Sequence, residues 1–437
     1  MFYFIGEKVG SVHITVISAV LRNKLHQSHF RYLLTTSTDQ TTRAHAPWKR
    51  TAETSSPPSS RTWREIARPQ VHGHDLVCLT SLPGHRFASG ADEKIVRTFE
   101  ATNTFLGNLA SISGISLAPG ELDKAQGASV PSLGLSNKAV FEGQADNANP
   151  EERHVKDNLP DFYFTPEQFD RPPPEESLMQ NALWPELQKL YGHGFEIFSL
   201  AADGRGSDAD GRGPLIASAC KAAKAEHAEV LLWNAETWKI VQRLKGHGLT
   251  VTQMAFSPDD RRLLTVSRDR TWCLYERTES SFEMIAHTDK KTALHSRLIW
   301  ACDWSMHSKY FATVSRDKKV AIWTETGVDS NSSLGKFGLA CKQPLTLNSS
   351  ATAVAFAPID NMNILAIGCE SGHIFLYKWD ENDHEQEWKL ISELKSNEAH
   401  HKTVKRLKFR PGNHADGNLI LASASSDHCV KLYELEM

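Results

Sequence analysis

Histidine, serine and aspartate recur in this chain at spacings that could serve nucleophilic chemistry. His247, Ser267 and Asp269 form one such group, and Ser315 and Asp317 repeat its second half. A hydroxyl beside an imidazole and a carboxylate is the arrangement that activates an attacking oxygen. The repetition speaks against that use. The pentapeptide TVSRD begins at Thr265 and again at Thr313, and a related SSD ends at Asp427. A catalytic centre needs one copy. In each stretch an aromatic follows the aspartate by six residues: Tyr275, Trp323 and Tyr433. Buried imidazole, hydroxyl, carboxylate and indole groups can instead bond in series, the carboxylate accepting from turn amides and from the histidine. Such groups are tolerated inside a protein when each is satisfied. His247, Ser267, Asp269, Ser315, Asp317, Trp323 and Asp427 are therefore read as a structural tetrad, and no residue as catalytic.

The elements that carry this frame repeat along the chain. Weaker copies end at His45, Phe99, Trp233 and Tyr377, giving seven ends at about 40–56 residues once one long gap is set aside. Several copies are preceded by a Gly-His or Ala-His pair: Gly73-His74, Gly192-His193, Gly246-His247, Ala286-His287 and Ala399-His400. After His247, the alternation in TVTQMAF, the turn SPDD and the run LLTV read as strand, turn, strand. The spacing predicts an all-β propeller of about seven four-stranded blades, with WD-type repeats and a first blade that is incomplete.

Residues 1–30 lack the repeat frame and form an atypical segment. The apolar stretch Val12–Leu21 is too short for a bilayer, which takes roughly 20 residues. It reads as a strand, and the amino-terminal segment as the source of the missing outer strand of the last blade, closing the ring. Residues 31–100 carry two blades, 101–190 an ordered insertion wrapping one face, and 191–437 five more blades. Trp184, Leu187 and Leu190 anchor the insertion by burial, and the segment also carries a mixed acidic stretch around Glu151, Glu152 and Asp157. Asp203–Pro214 reads as a mobile hairpin loop. It fails as a calcium loop, because Gly206 and Ala217 stand where acidic ligands are needed.

The 49 basic and 52 acidic residues give a net charge of −3, which argues against a chain that is mainly a polyanion binder. The seven cysteines are dispersed, with no metal-ligand spacing, and read as free thiols of a reducing compartment. No phosphate loop, cluster-type cysteine run or membrane span is present in the sequence, so no cofactor or metal is expected.

The stretches STDQTTRAHAPW, PSLGLSNKAVF, PPPEESLMQNALWPELQKLYGHGFEIF and SRDRTWCLYE make the chain resemble the WD-repeat subunit of the Elongator complex, in the second of its two propellers. The resemblance covers Tyr32 to Leu435, and the insertion segments carry it, because no packing rule requires them. It implies a non-catalytic scaffold that braces the largest scaffold subunit and the catalytic subunit. It further implies support of C5 carbonylmethyl-type modification of the tRNA wobble uridine, with tRNA an indirect partner and a cytoplasmic and nuclear location. The alternative is a generic WD-repeat adaptor, such as a substrate receptor of a ubiquitin ligase. Arg268 and Arg316, the middle residues of the two SRD turns, should point outward on adjacent blades. They are candidates for a partner or RNA contact, against the plainer reading of solvated arginines.

Overall fold

The computed structural model of the chain describes residues 2–4, 14–19, 32–49, 62–117, 120–130, 136–141, 164–204, 213–279, 281–327, 332–360, 362–383, 387–394, 398–411 and 418–436. The charged stretch at Glu151, Glu152 and Asp157 and residues 205–212 of the expected hairpin loop lie outside the described residues.

Runs such as LIASAC, RLLTVS, YFATVS and ATAVAF are almost entirely buried on both faces. They have no polar side because each lies inside a sheet packed face to face against two neighbours. Among the described residues, seven antiparallel sheets of this kind follow one another around a ring. The first blade holds Ile14–Ala19, Leu33–Ser37, Thr41–Trp48 and Thr62–Val71. The second holds Leu76–Leu82, Arg86–Ala91, Ile95–Glu100 and Glu186–Tyr191. The third runs from Ile197–Ala202 to Ile240–Leu244, and the fourth from Val251–Phe256 to Phe282–His287. The fifth joins Ile299–Trp304, Tyr310–Ser315 and Lys319–Glu325 to two short edge pieces, Phe337–Leu339 and Leu345–Thr346. The sixth runs from Ala351–Phe356 to Trp388–Leu394. The seventh holds Val404–Phe409, Asn418–Ser425 and Val430–Glu436.

The seven inner strands touch in sequence, and Ile14–Ala19 of the first blade meets Val404–Phe409 of the seventh. Phe2–Phe4 pairs antiparallel with the last strand, Phe2 opposite Leu435 and Phe4 opposite Tyr433, as the outer edge of the seventh blade. The first blade is a full four-stranded sheet rather than an incomplete one, because Ile14–Ala19 supplies its inner strand. Residues 1–30 thus contribute to two blades at once. The seven residues that end the repeat frame, His45, Phe99, Trp233, Tyr275, Trp323, Tyr377 and Tyr433, each fall on the third strand of a different blade.

The insertion interrupts the second blade before its outer strand. Thr102 caps the helix Asn103–Ser113 by accepting from the Phe105 amide at 3.1 Å, and Gly114 ends it at a φ of 65°. Phe105, Leu106, Leu109 and Ile112 form its buried face and pack with Tyr32, Phe87 and Trp184. A hairpin of Gly127–Ser129 and Lys138–Val140 and a short helix, Glu175–Gln180, follow. Both helices lie on the outer half of the first blade, where Arg68 grips Glu175 through two hydrogen bonds of 2.8 and 3.1 Å. The chain then returns as Glu186–Tyr191 to complete the second blade. The excursion therefore spans 101–185 instead of 101–190, and Leu187 sits half-buried in a blade strand, whereas Trp184 and Leu190 are buried. Among the described residues no helix is long and apolar enough to cross a membrane.

Candidate functional site on the turn face

Six blades make a tight turn between their second and third strands, the third a longer loop with the 3-10 helix Ala225–His227, and the loop entering the inner strand approaches the same end. In the fourth blade His247 joins the two. Its Nε2 lies 2.8 Å from Thr265 Oγ1 and its Nδ1 3.1 Å from an Asp269 carboxylate oxygen. The Gly248 amide donates to the same carboxylate at 2.8 Å. The fifth blade repeats this with His295, Thr313 and Asp317, and Trp323 Nε1 donates to Thr313 at 2.9 Å. The seventh does so with His400, Ser423 and Asp427.

Ser267 and Ser315 stand elsewhere than expected. Each donates to two carbonyls of the preceding loop, Leu249 and Thr250 or Arg297 and Leu298. Each also accepts the amide of the turn aspartate at 3.2 Å. Alternate strand residues share a face, so Thr265 and Ser267 both point toward the loop. The strand register puts the threonine opposite the histidine and the serine at the turn. His295 is the fifth-blade histidine, not His287, which belongs to an outer strand. In the second blade His72, not the exposed His74, meets a carboxylate, Glu93, at 2.9 Å.

Charge follows these contacts. Burial works against the Asp317 carboxylate, but the His295 hydrogen bond and charge outweigh it and hold Asp317 at about 2. Asp269 and Asp427 are likewise held below the usual carboxylate range despite burial, by His247 and His400. Burial disfavours the His247 cation, yet Cys273 and Asp269 raise it above its ordinary value. The third-blade His193 has a hydroxyl partner, Ser218, at 2.7 Å and no carboxylate, and burial lowers it to about 4. Ser267 and Thr265 are fully buried, so neither hydroxyl is presented to a substrate.

What the fourth and fifth turns expose is cationic, whereas the same register carries the exposed Asp92 and Glu370 in the second and sixth blades. Arg268 and Arg316 project from the fourth and fifth turns, both exposed, and neither side chain makes a hydrogen bond or ion pair with a described residue. The corresponding third-blade residue, Lys221, is instead paired with Asp92 at 2.5 Å. Arg270, Lys318, Lys290, Lys291 and Arg297 are exposed on the same turns and on the loop that carries His295. The nearby aspartates are turned away from solvent partners: Asp269 and Asp317 toward histidines, Asp289 onto the amides of Lys291 and Thr292.

Residues 238–276, 289–324 and 389–434 match the family described as WD domain, G-beta repeat. Those spans hold the first three strands of the fourth, fifth and seventh blades, the three with the His–Asp pair; the first and last spans begin on the outer strand of the preceding blade. The chain is also 49% identical over 423 residues to Elongator complex protein 2 of Drosophila melanogaster, covering 93% of this chain and 50% of the fly protein. It is 42% identical to the Homo sapiens protein of that name over 92% of this chain and 51% of the relative. It is 34% identical to that of Saccharomyces cerevisiae over 92% and 49%. The chain is thus similar, over most of its own length, to Elongator complex protein 2. It spans about half the length of the curated relatives it matches. The turn face thus keeps its tetrad hydroxyls inside and presents Arg268 and Arg316 outside, neither paired with a described residue.

Proposed function

We propose that the chain is a non-catalytic WD-repeat scaffold of the Elongator complex. In this reading it supports C5 carbonylmethyl-type modification of the tRNA wobble uridine by binding the largest scaffold subunit and the catalytic subunit. Its sites are cytoplasmic and nuclear, with tRNA an indirect partner and Arg268 and Arg316 the candidates for a partner or RNA contact. Similarity to Elongator complex protein 2 along 93% of the chain is the observation that carries this reading. The exposed Arg268 and Arg316 support it, because a planar guanidinium without an internal partner suits bidentate contact with a carboxylate or phosphate. The buried His–hydroxyl–Asp series act as braces for the turns that present those arginines.

The test is the double substitution Arg268→Ala, Arg316→Ala in the full-length protein in cells. Thermal unfolding should shift by less than a degree or two, since surface changes usually stay within about ±0.5 kcal/mol. Co-purification of the other Elongator subunits, or wobble-uridine modification, should fall several-fold. If both stay at the wild-type level, the arginines are solvated only. Recovery of ubiquitin-ligase subunits in place of Elongator subunits would favour the adaptor reading.

A further inference from the structure

The insertion meets the first blade around a small cavity. Ile66 and Ala67 line it from the outer strand Thr62–Val71, and Phe105 and Asn108 from the helix Asn103–Ser113. The later part of the insertion closes it with Glu167, Phe169, Ser177 and Asn181. Asn108 fixes that later segment: its side chain accepts the Phe169 amide at 2.9 Å and donates to the Glu167 carbonyl at 3.0 Å. Glu167 is thereby held at the cavity. Its Oε2 is buried and has no hydrogen-bond partner among the described residues. No cationic side chain lines the cavity with it. A buried carboxylate oxygen with neither a donor nor a counter-charge is costly, so a donor belongs beside it.

The size of the cavity selects that donor. It offers about 20 Å³ to the centre of a water-sized sphere, where one water needs roughly 10–15 Å³. A phosphate, or a side-chain ammonium with its methylenes, exceeds that room. A buried water keeps its place through about three hydrogen bonds to polar groups that need them. Thr104, Ser177 and Asn181 line the same cavity, and their side chains make no hydrogen bond to a described residue. Two hydroxyls and an amide can both donate to and accept from a water, which completes the set around Glu167.

We propose that this cavity is a binding site for one ordered water, which donates to Glu167 Oε2 and draws its other bonds from Thr104, Ser177 and Asn181. The water joins segments far apart in sequence, so solvent as well as the Arg68–Glu175 pair keys the insertion to the first blade. A crystal structure of the full chain that shows ordered solvent should carry one peak within hydrogen-bond distance of Glu167 Oε2; no peak there overturns the proposal. Ala182 also lines the cavity, and Ala182→Val adds two methyl groups where the water sits. Displacing the water should lower the melting temperature by about 1–3 °C, the shift for one buried group that loses its partner. Glu167→Met removes the carboxylate. In that background the same Ala182→Val change should leave the melting temperature unchanged or raise it, because nothing then requires the water. A rise with Ala182→Val alone, or an equal loss in both backgrounds, would show a dry cavity and overturn the proposal. Melting temperatures should agree in sodium, potassium and choline chloride at one ionic strength. A rise specific to one alkali ion would give the site to a cation instead.

Discussion

The fifth and sixth blades are neighbours with the same four-stranded order and opposite interiors. The fifth carries His295, Thr313, Asp317 and Trp323 bonded in series. At the same register the sixth has Leu347, Ile367, Ser371 and Tyr377, and its strand Ala351–Phe356 is buried throughout. The sheet itself does not need the polar series, since apolar packing forms the sixth blade without it. The turn does need something. In the first, fourth, fifth and seventh blades an aspartate oxygen accepts the amide two residues on, from Thr41, Thr271, Lys319 or Cys429. The residue between is left-handed and is not glycine: Gln40, Arg270, Lys318 and His428 have φ between 68° and 75°. In the sixth blade Ser371 replaces the aspartate, and the left-handed residue is Gly372, at φ 92°. A side-chain cap offsets the cost of a left-handed residue that has a Cβ; where the cap is missing, glycine removes the cost.

This contrast can be broken at its weakest point. Gly372→Ala places a Cβ 2.2 Å from the His400 carbonyl oxygen, in addition to the left-handed strain. It should lower stability by about 2–4 kcal/mol, read as a shift of the urea midpoint. Because the His400 amide donates to Gly372 O at 3.1 Å, the loss should spread to the seventh-blade amides in hydrogen exchange. An unchanged midpoint would show that the sixth turn relaxes freely.

Asp317→Ala should cost about 1–3 kcal/mol, because it leaves the Lys319 and Ser296 amides and His295 without their acceptor. Ser371→Ala, at the same register of the sixth blade, should fall within about 0.5 kcal/mol of wild type. Equal losses in the same melts would erase the difference between the two turns.

Acid sharpens the contrast further. Asp317 is held at about 2 against an ordinary 3.8, so its contribution is full above pH 3.8 and is lost as pH falls toward 2. That loss is on the order of 1–2 kcal/mol after allowance for solvent screening. Hydrogen exchange of the Lys319 amide should therefore accelerate over this window relative to wild-type exchange in the sixth blade, once both are corrected for intrinsic rates. Asp317→Ala should abolish the difference.

Much of the ring was legible without coordinates, for a local reason. Each repeat unit is a turn flanked by strands, and in the strongest copies an aspartate and an aromatic lie six residues apart, a frame whose weaker copies could then be found at the same period, so the seven third strands could be read directly. Several features were not legible, because they depend on partners distant in sequence. Glu186–Tyr191 looks like part of the insertion until it is seen paired with Ile95–Glu100 across the excursion. Phe2–Phe4 becomes a blade edge only by meeting a strand at the other end of the chain. Thr265 and Ser267 share a face of one strand, so composition could not choose between them, and neither could a two-residue period. His295 has no glycine before it, and no local signal marks it as the fellow of His247. Sequence alone determined the period, the turns and the apolar alternation, because those forces act within a few residues. Tertiary structure decided which hydroxyl meets which histidine and where the outer strands come from, because these depend on register between segments that pair only when the ring closes.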